Sequence, residues 1–132
     1  MDTSRAFSSF AVDDLHAAER FYHGTLGMDA ALQGDDPMQM LVLTLGSGAR
    51  VLLYPKPDHQ PASFTVLNLP VPDVDAAVDE LTKAGVRMER YPGFDQDERG
   101  IARGDDRGPT IAWFLDPAGN TNAVLSDERG PD

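Results

Sequence analysis

The chain carries three histidines, His16, His23 and His59, and no cysteine. Thiolate nucleophiles, disulfides and cysteine-ligated zinc are therefore excluded. Imidazole is left as the side chain that could share a metal with carboxylates or move a proton near neutral pH. His16 and His23 fall on the polar side, or at the end, of a helical stretch, where histidine reads as a surface residue. His59 follows a strand in Tyr54-Pro55-Lys56-Pro57-Asp58-His59, a loop that could reach the mouth of a pocket. Glu89 and the acids of the loop from Asp95 to Arg107 offer oxygen donors for a displaced metal site, but their spacing matches no ligand set. No G-x-S-x-G elbow appears, and no serine is visibly paired with an activating histidine. Gly46-Ser47-Gly48 joins two strands instead of opening a helix, which makes it a turn and not a phosphate cradle.

The elements that must position these residues form a repeat. Phe7 to Val12 reads as a strand, Asp13 and Asp14 can cap a helix, and Leu15, Ala18 and Tyr22 recur at helical spacing until Gly24 and Gly27. The series returns with Phe64 to Val71, then Pro72-Asp73, then Val74, Ala77, Val78 and Leu81 on one helical face, ending at Gly85. Laying Val12 on Val71 places Asp14 on Asp73, Leu15 on Val74, Ala18 on Ala77 and Tyr22 on Leu81 at one offset. Each helix is followed by a short strand, Asp29 to Gln33 or Val86 to Arg90, and then by a hairpin. The hairpins are Met38 to Leu45 with Arg50 to Tyr54, and Thr110 to Leu115 with Thr121 to Leu125. These patterns predict an α+β protein of two tandem β-α-β-β-β units. Unit one spans about 6–55 and unit two about 62–126 within a single domain 1–132, with a proline-rich linker 55–61 and an acidic tail 127–132. Tyr91 to Pro109 is long and rich in glycine and charge. It reads as a lid or binding loop, or equally as an exposed loop with a partial strand around Gly100 to Arg103.

Val12-Asp13-Asp14-Leu15, the helix ending in Phe21-Tyr22, Leu26-Gly27-Met28, and Trp113-Phe114-Leu115-Asp116-Pro117-Ala118-Gly119-Asn120 together resemble the vicinal oxygen chelate superfamily. This superfamily comprises glyoxalases, extradiol dioxygenases, fosfomycin-modifying enzymes and metal-free bleomycin resistance proteins. The resemblance runs from about Ala6 to Ser126 and implies a curved, cup-like mixed sheet with helices outside and the ligand inside. In the enzymes a divalent metal is held by His or Gln from the first strand of each unit and Glu from the last strand of each. Here those positions fall on Phe7, Val66, Leu52 or Leu53, and Ala123, none of which carries a metal donor. The resemblance thus implies no cofactor and no metal, although one such scaffold hosts many chemistries.

If side chains alternate regularly from the ligand positions, Phe7 and Ser9 face the cup in unit one and Phe64, Val66 and Asn68 in unit two, with Trp113 and Ala123 beside them. Such a wall is apolar with a few orienting groups, as suits a small organic molecule. These seven residues, Phe7, Ser9, Phe64, Val66, Asn68, Trp113 and Ala123, form the expected ligand site, with no catalytic residue assigned. The expected function is metal-free binding, and sequestration, of a neutral or cationic organic ligand. Two alternatives stay open: an enzyme of the same superfamily, either a metal-dependent lyase, isomerase or dioxygenase using displaced ligands or a metal-free catalyst, and an interaction module with a filled cup.

The 22 acidic residues outnumber the 11 basic ones, for a formal charge of −11. That field repels nucleic acid and anionic membranes, so neither is an expected partner. No apolar stretch is long enough to span a bilayer and the amino terminus lacks a signal pattern, so a cytoplasmic location is expected. Uncovered strand edges in a small two-unit protein lead to the expectation of a homodimer.

Overall fold

The computed structural model describes residues 1–105 and 108–127. Of the acidic tail read from the sequence, all but Asp127 lies outside the described residues, as do Asp106 and Arg107 of the charged loop. The chain forms two compact units, Met1–Gln60 and Pro61–Asp132, and the boundary falls within the proline-rich stretch.

In the first unit the elements are β1 (Ser8–Val12), α1 (Leu15–Glu19), β2 (Asp29–Gln33), β3 (Met40–Thr44) and β4 (Arg50–Pro55). The Asp14 carboxylate accepts bonds from the His16 and Ala17 amides and so starts α1. The helix continues as a π-helical segment over Arg20–Thr25, and this wider winding brings the Leu26 amide onto the Phe21 carbonyl. Tyr22, fully buried here, packs edge-on against Phe10 and Phe21. The sheet runs in the order β1-β4-β3-β2, with β1 parallel to β4 and the other pairs antiparallel. Pro55, read from the sequence as the first linker residue, instead closes β4 opposite Val12. It tolerates that place because the strand ends there and needs no further ladder donor.

The second unit repeats the plan with β5 (Thr65–Val71), α2 (Val74–Lys83), β6 (Met88–Glu89), β7 (Ile111–Leu115) and β8 (Thr121–Ser126). Asp73 caps α2 through the Ala76 amide. The order is β5-β8-β7-β6, again with one parallel pair, β5 with β8. The expected mixed sheet is thus realised as two four-stranded mixed sheets, one per unit, each with the first and last strands of its unit side by side. Pro70 is accommodated because β5 is an edge strand.

One face of each sheet supports the helix core. Leu41, Leu43, Leu53 and Val12 are fully buried in the first unit, as are Phe114 and Asn122 in the second. The β7–β8 turn is built by Asp116, whose carboxylate accepts bonds from the amides of Ala118 and Asn120 and from the Asn120 side chain. Gly119 supplies the positive φ of 86° that completes this turn.

Candidate functional site

The opposite sheet faces carry the residues expected to bind ligand. In the first unit Ser9 lies opposite Leu52, which lies opposite Val42. Leu52 is therefore on the open face, while Leu53 is fully buried in the helix-side core. Of the two leucines at which the resemblance puts the family glutamate, Leu52 is thus the one on the open face, and its side chain offers no oxygen. Phe7 is 60% exposed and shares a small cavity of about 110 Å³ with Gln33, Val42, Arg50 and Leu52. Ser9 is exposed and does not line that cavity.

The second unit holds a larger hollow, of about 700 Å³. Its floor is the row Thr65, Thr121 and Leu115, paired across three strands, together with Trp113. Regular alternation along β5 would have put Val66 there. Instead, Thr65 pairs with Thr121 while Leu67 pairs with the next residue, Asn122, leaving Val66 as a bulge. The extra residue shifts the alternation by one place, so Thr65 lines the hollow and Val66 does not. Phe64 does line it, from the turn before the strand, and is 67% exposed. Asn68, Ala123, Trp113 and Glu89 form one continuous cross-strand row. Of these, Trp113 and Glu89 border the hollow, Ala123 is fully buried, and Asn68 is exposed outside it.

The remaining wall comes from Ala62 and Ser63 and from Tyr91, Pro92 and Phe94, none of which was among the residues expected to bind ligand. Tyr91 meets the Trp113 ring at 5.5 Å and 81°, and Phe94 meets it at 5.0 Å and 56°. A signal existed: two aromatic side chains within Tyr91-Pro92-Gly93-Phe94 are costly to leave in water, and an adjacent strand bearing tryptophan is the natural place for them.

Side chains hold this loop in place. The Gln96 amide donates from Nε2 to the Glu89 carbonyl (3.0 Å) and the Gly100 carbonyl (2.7 Å), and its Oε1 accepts from the Tyr91 amide (2.8 Å). It thereby pairs backbone groups beside the edge strand β6, where the ladder stops. The stretch 95–103 is not a free loop, since Ala102 bridges to both Gln96 and Ile111 and Ile101 is fully buried. Arg99 reaches Asp75 and Asp79 on α2, and Arg103 binds Asp75 and Asp97. The Arg103 guanidinium, with Arg99 adding to it, holds the Asp75 carboxyl down at about 2. For Asp97 partial burial opposes ionisation, but the amides of Ile101 and Arg99 and the Arg103 side chain outweigh it, and its pKa is lowered.

The family metal set does not fit this chain. Phe7, Leu52 and Ala123 have no donor atom, and the fourth position falls at the Thr65–Val66 bulge, where neither imidazole nor carboxylate is present. Among the described residues no cluster of three or more His, Asp or Glu could hold a metal ion. His16 and His23 are exposed on the helical segment, and His59 is half-buried in the first unit, so none of the three borders the large hollow. No helix among the described residues is long and apolar enough to cross a membrane.

The chain resembles solved structures over nearly its whole length. TnmS3, an antibiotic binding protein from Streptomyces sp. CB03234, is 25% identical with a TM-score of 0.68, covering 97% of this chain and all of that one. A glyoxalase family protein from Enterococcus faecalis is 17% identical with a TM-score of 0.69, covering 91% of this chain and 94% of that one. A variant of the fosfomycin resistance protein FosX from Listeria monocytogenes, complexed with Mn(II) and 1S,2S-dihydroxypropylphosphonic acid, is 11% identical with a TM-score of 0.67 over 98% of this chain and 94% of that one. The last two likenesses establish the fold alone. No curated protein sequence matches the chain. The model of the Glyoxalase/Bleomycin resistance protein/Dioxygenase superfamily matches residues 6–124, and with the repeated β-α-β-β-β plan this places the chain in that superfamily.

Proposed function

We propose that this protein is a metal-free binder that sequesters a small organic molecule, neutral or cationic and flat in part, in the hollow of its second unit. The observation that carries the reading is the aromatic lining: Trp113, Tyr91, Phe94 and Phe64 border one space of about 700 Å³, within the size range of drug-sized ligand sites. Flat ligands gain most there from stacking and burial. The likeness to TnmS3, described as an antibiotic binding protein, supports the same direction. Absence of donor atoms at the family ligand positions supports binding without a metal. A homodimer in the cytoplasm completes the proposal.

A thermal-shift screen with flat aromatic compounds, run beside elemental analysis of dialysed protein, tests it. The expected result is a raised melting temperature with several such compounds and no stoichiometric metal. About one divalent ion retained per chain would overturn the metal-free reading and point to an enzyme. Uniform failure of the compounds to stabilise the fold would overturn the assignment of the hollow.

A further inference from the structure

Charge around the hollow is distributed asymmetrically. Its lining contains one carboxylate, Glu89, and no lysine, arginine or histidine. Glu89 pairs in register with Trp113 and so shares its face of the sheet. Among the described residues the Glu89 carboxylate has no ion-pair partner, although four arginines lie close to it in sequence or in the adjoining loop: Arg87, which is exposed, and Arg90, Arg99 and Arg103. The last three are committed elsewhere. Arg90 donates to the carbonyls of Gln96 and Asp97, Arg99 is tied to Asp75 and Asp79, and Arg103 is tied to Asp75 and Asp97. Arg90, Arg99 and Arg103, which could have drawn an anion, are thus engaged in the bonds that hold the wall in shape.

Beside this carboxylate, Tyr91 and Phe94 meet Trp113 at steep angles of 81° and 56°, and Phe64 stands 67% exposed at the rim. An alkylated or protonated ammonium group is attracted to the face of an aromatic ring within about 6 Å of its centroid, and four aromatic side chains border this one space. A carboxylate at the border of the same space adds a full counter-charge, and partial exclusion of water strengthens both attractions.

We infer that the ligand of this hollow is an organic cation, with its flat body against the aromatic wall and its positive nitrogen directed to Glu89. This inference rests on the reading of the hollow as the binding site and narrows the ligand class to one charge.

Three probes of similar shape separate the two claims: N-methylquinolinium as the cation, 1-naphthalenemethanol as the neutral compound and 1-naphthoate as the anion. Calorimetric titration of the full chain should show the cation bound about tenfold more tightly than the neutral probe, with the anion weakest. Glu89→Gln should bring the ratio of cation to neutral affinity close to one, and Glu89→Asp, which keeps the charge, should preserve most of the preference. Using the ratio cancels any general loosening of the hollow. Equal affinity of wild-type protein for the cation and the neutral probe, or a ratio unchanged by Glu89→Gln, overturns the charge assignment and leaves the hollow as a binding site. Failure of all three probes to bind wild-type protein overturns both.

Discussion

Gln96→Ala is the most direct test of how the aromatic wall is held. The substitution removes three hydrogen bonds of 2.7–3.0 Å, to the Glu89 and Gly100 carbonyls and from the Tyr91 amide. At roughly 0.5–1.5 kcal/mol each, their loss sums to about 1.5–4.5 kcal/mol if nothing replaces them. These bonds are part-buried, so water can recover some of that. The expected destabilisation is about 2 kcal/mol, measured as a shift of the urea midpoint at unchanged slope. Gln96→Glu discriminates further. It preserves size and the acceptor for Tyr91, but sets carboxylate oxygen against two carbonyl oxygens, and should cost at least as much as the alanine. Trp113 is the only tryptophan and touches both Tyr91 and Phe94, so its fluorescence reports the wall directly. In both variants the emission should move to the red as water reaches the indole. Variants within about 0.5 kcal/mol of the parent, with unchanged emission, would refute the claim that one amide organises this wall.

Phe94→Ala should weaken binding of 1-naphthalenemethanol about tenfold, yet reduce stability by only about 1 kcal/mol, because the ring is already 57% exposed; titration calorimetry and urea unfolding measure the two effects. Acid should loosen the loop's attachment to α2. Since the Asp75 carboxyl is lowered from 3.8 to about 2, its contribution is fully present above the unfolded value and is lost as pH falls through about 2. Asp75→Asn should show at pH 5 the reduced amide protection of residues 97–103, measured relative to the intrinsic exchange rate at each pH, that the parent shows only near pH 2. Gly119→Ala should cost about 1–2 kcal/mol by thermal or urea unfolding, because an L residue is strained at a φ of 86° and its Cβ would stand 3.1 Å from Pro61 Cγ.

Much of the fold was legible because its signals are local. Asp14 and Asp73 announce helix starts by chemistry that acts within three residues, and both carboxylates do accept those amides. The turn at Asp116 to Asn120 is likewise self-contained, and the repeat of the helix pattern anticipated two β-α-β-β-β units, though as one curved sheet where the structure has two. The site was less legible. Of the seven residues expected to bind ligand, Phe64 and Trp113 border the hollow, whereas Phe7, Ser9, Val66, Asn68 and Ala123 do not, and Tyr91, Phe94 and Glu89 were not among the seven.

The cause lies in how far each determinant reaches along the chain. Helix caps, turns and hydrophobic period, the identity of every side chain at a family ligand position, and the net charge are properties of the sequence by itself. The bulge at Val66 was a tertiary decision, since one strand can gain an unpaired residue only against the register of its partner β8. So was the choice of Leu52 over Leu53 for the open face, which rests on alignment with Ser9 and Val42 in neighbouring strands. Arg99 and Arg103 look free to meet an anion until folding brings Asp75, more than twenty residues earlier in the chain, within 3 Å of both. Electrostatic attraction acts through space, so which charges remain available to a ligand is decided only when distant parts of the chain have been brought together.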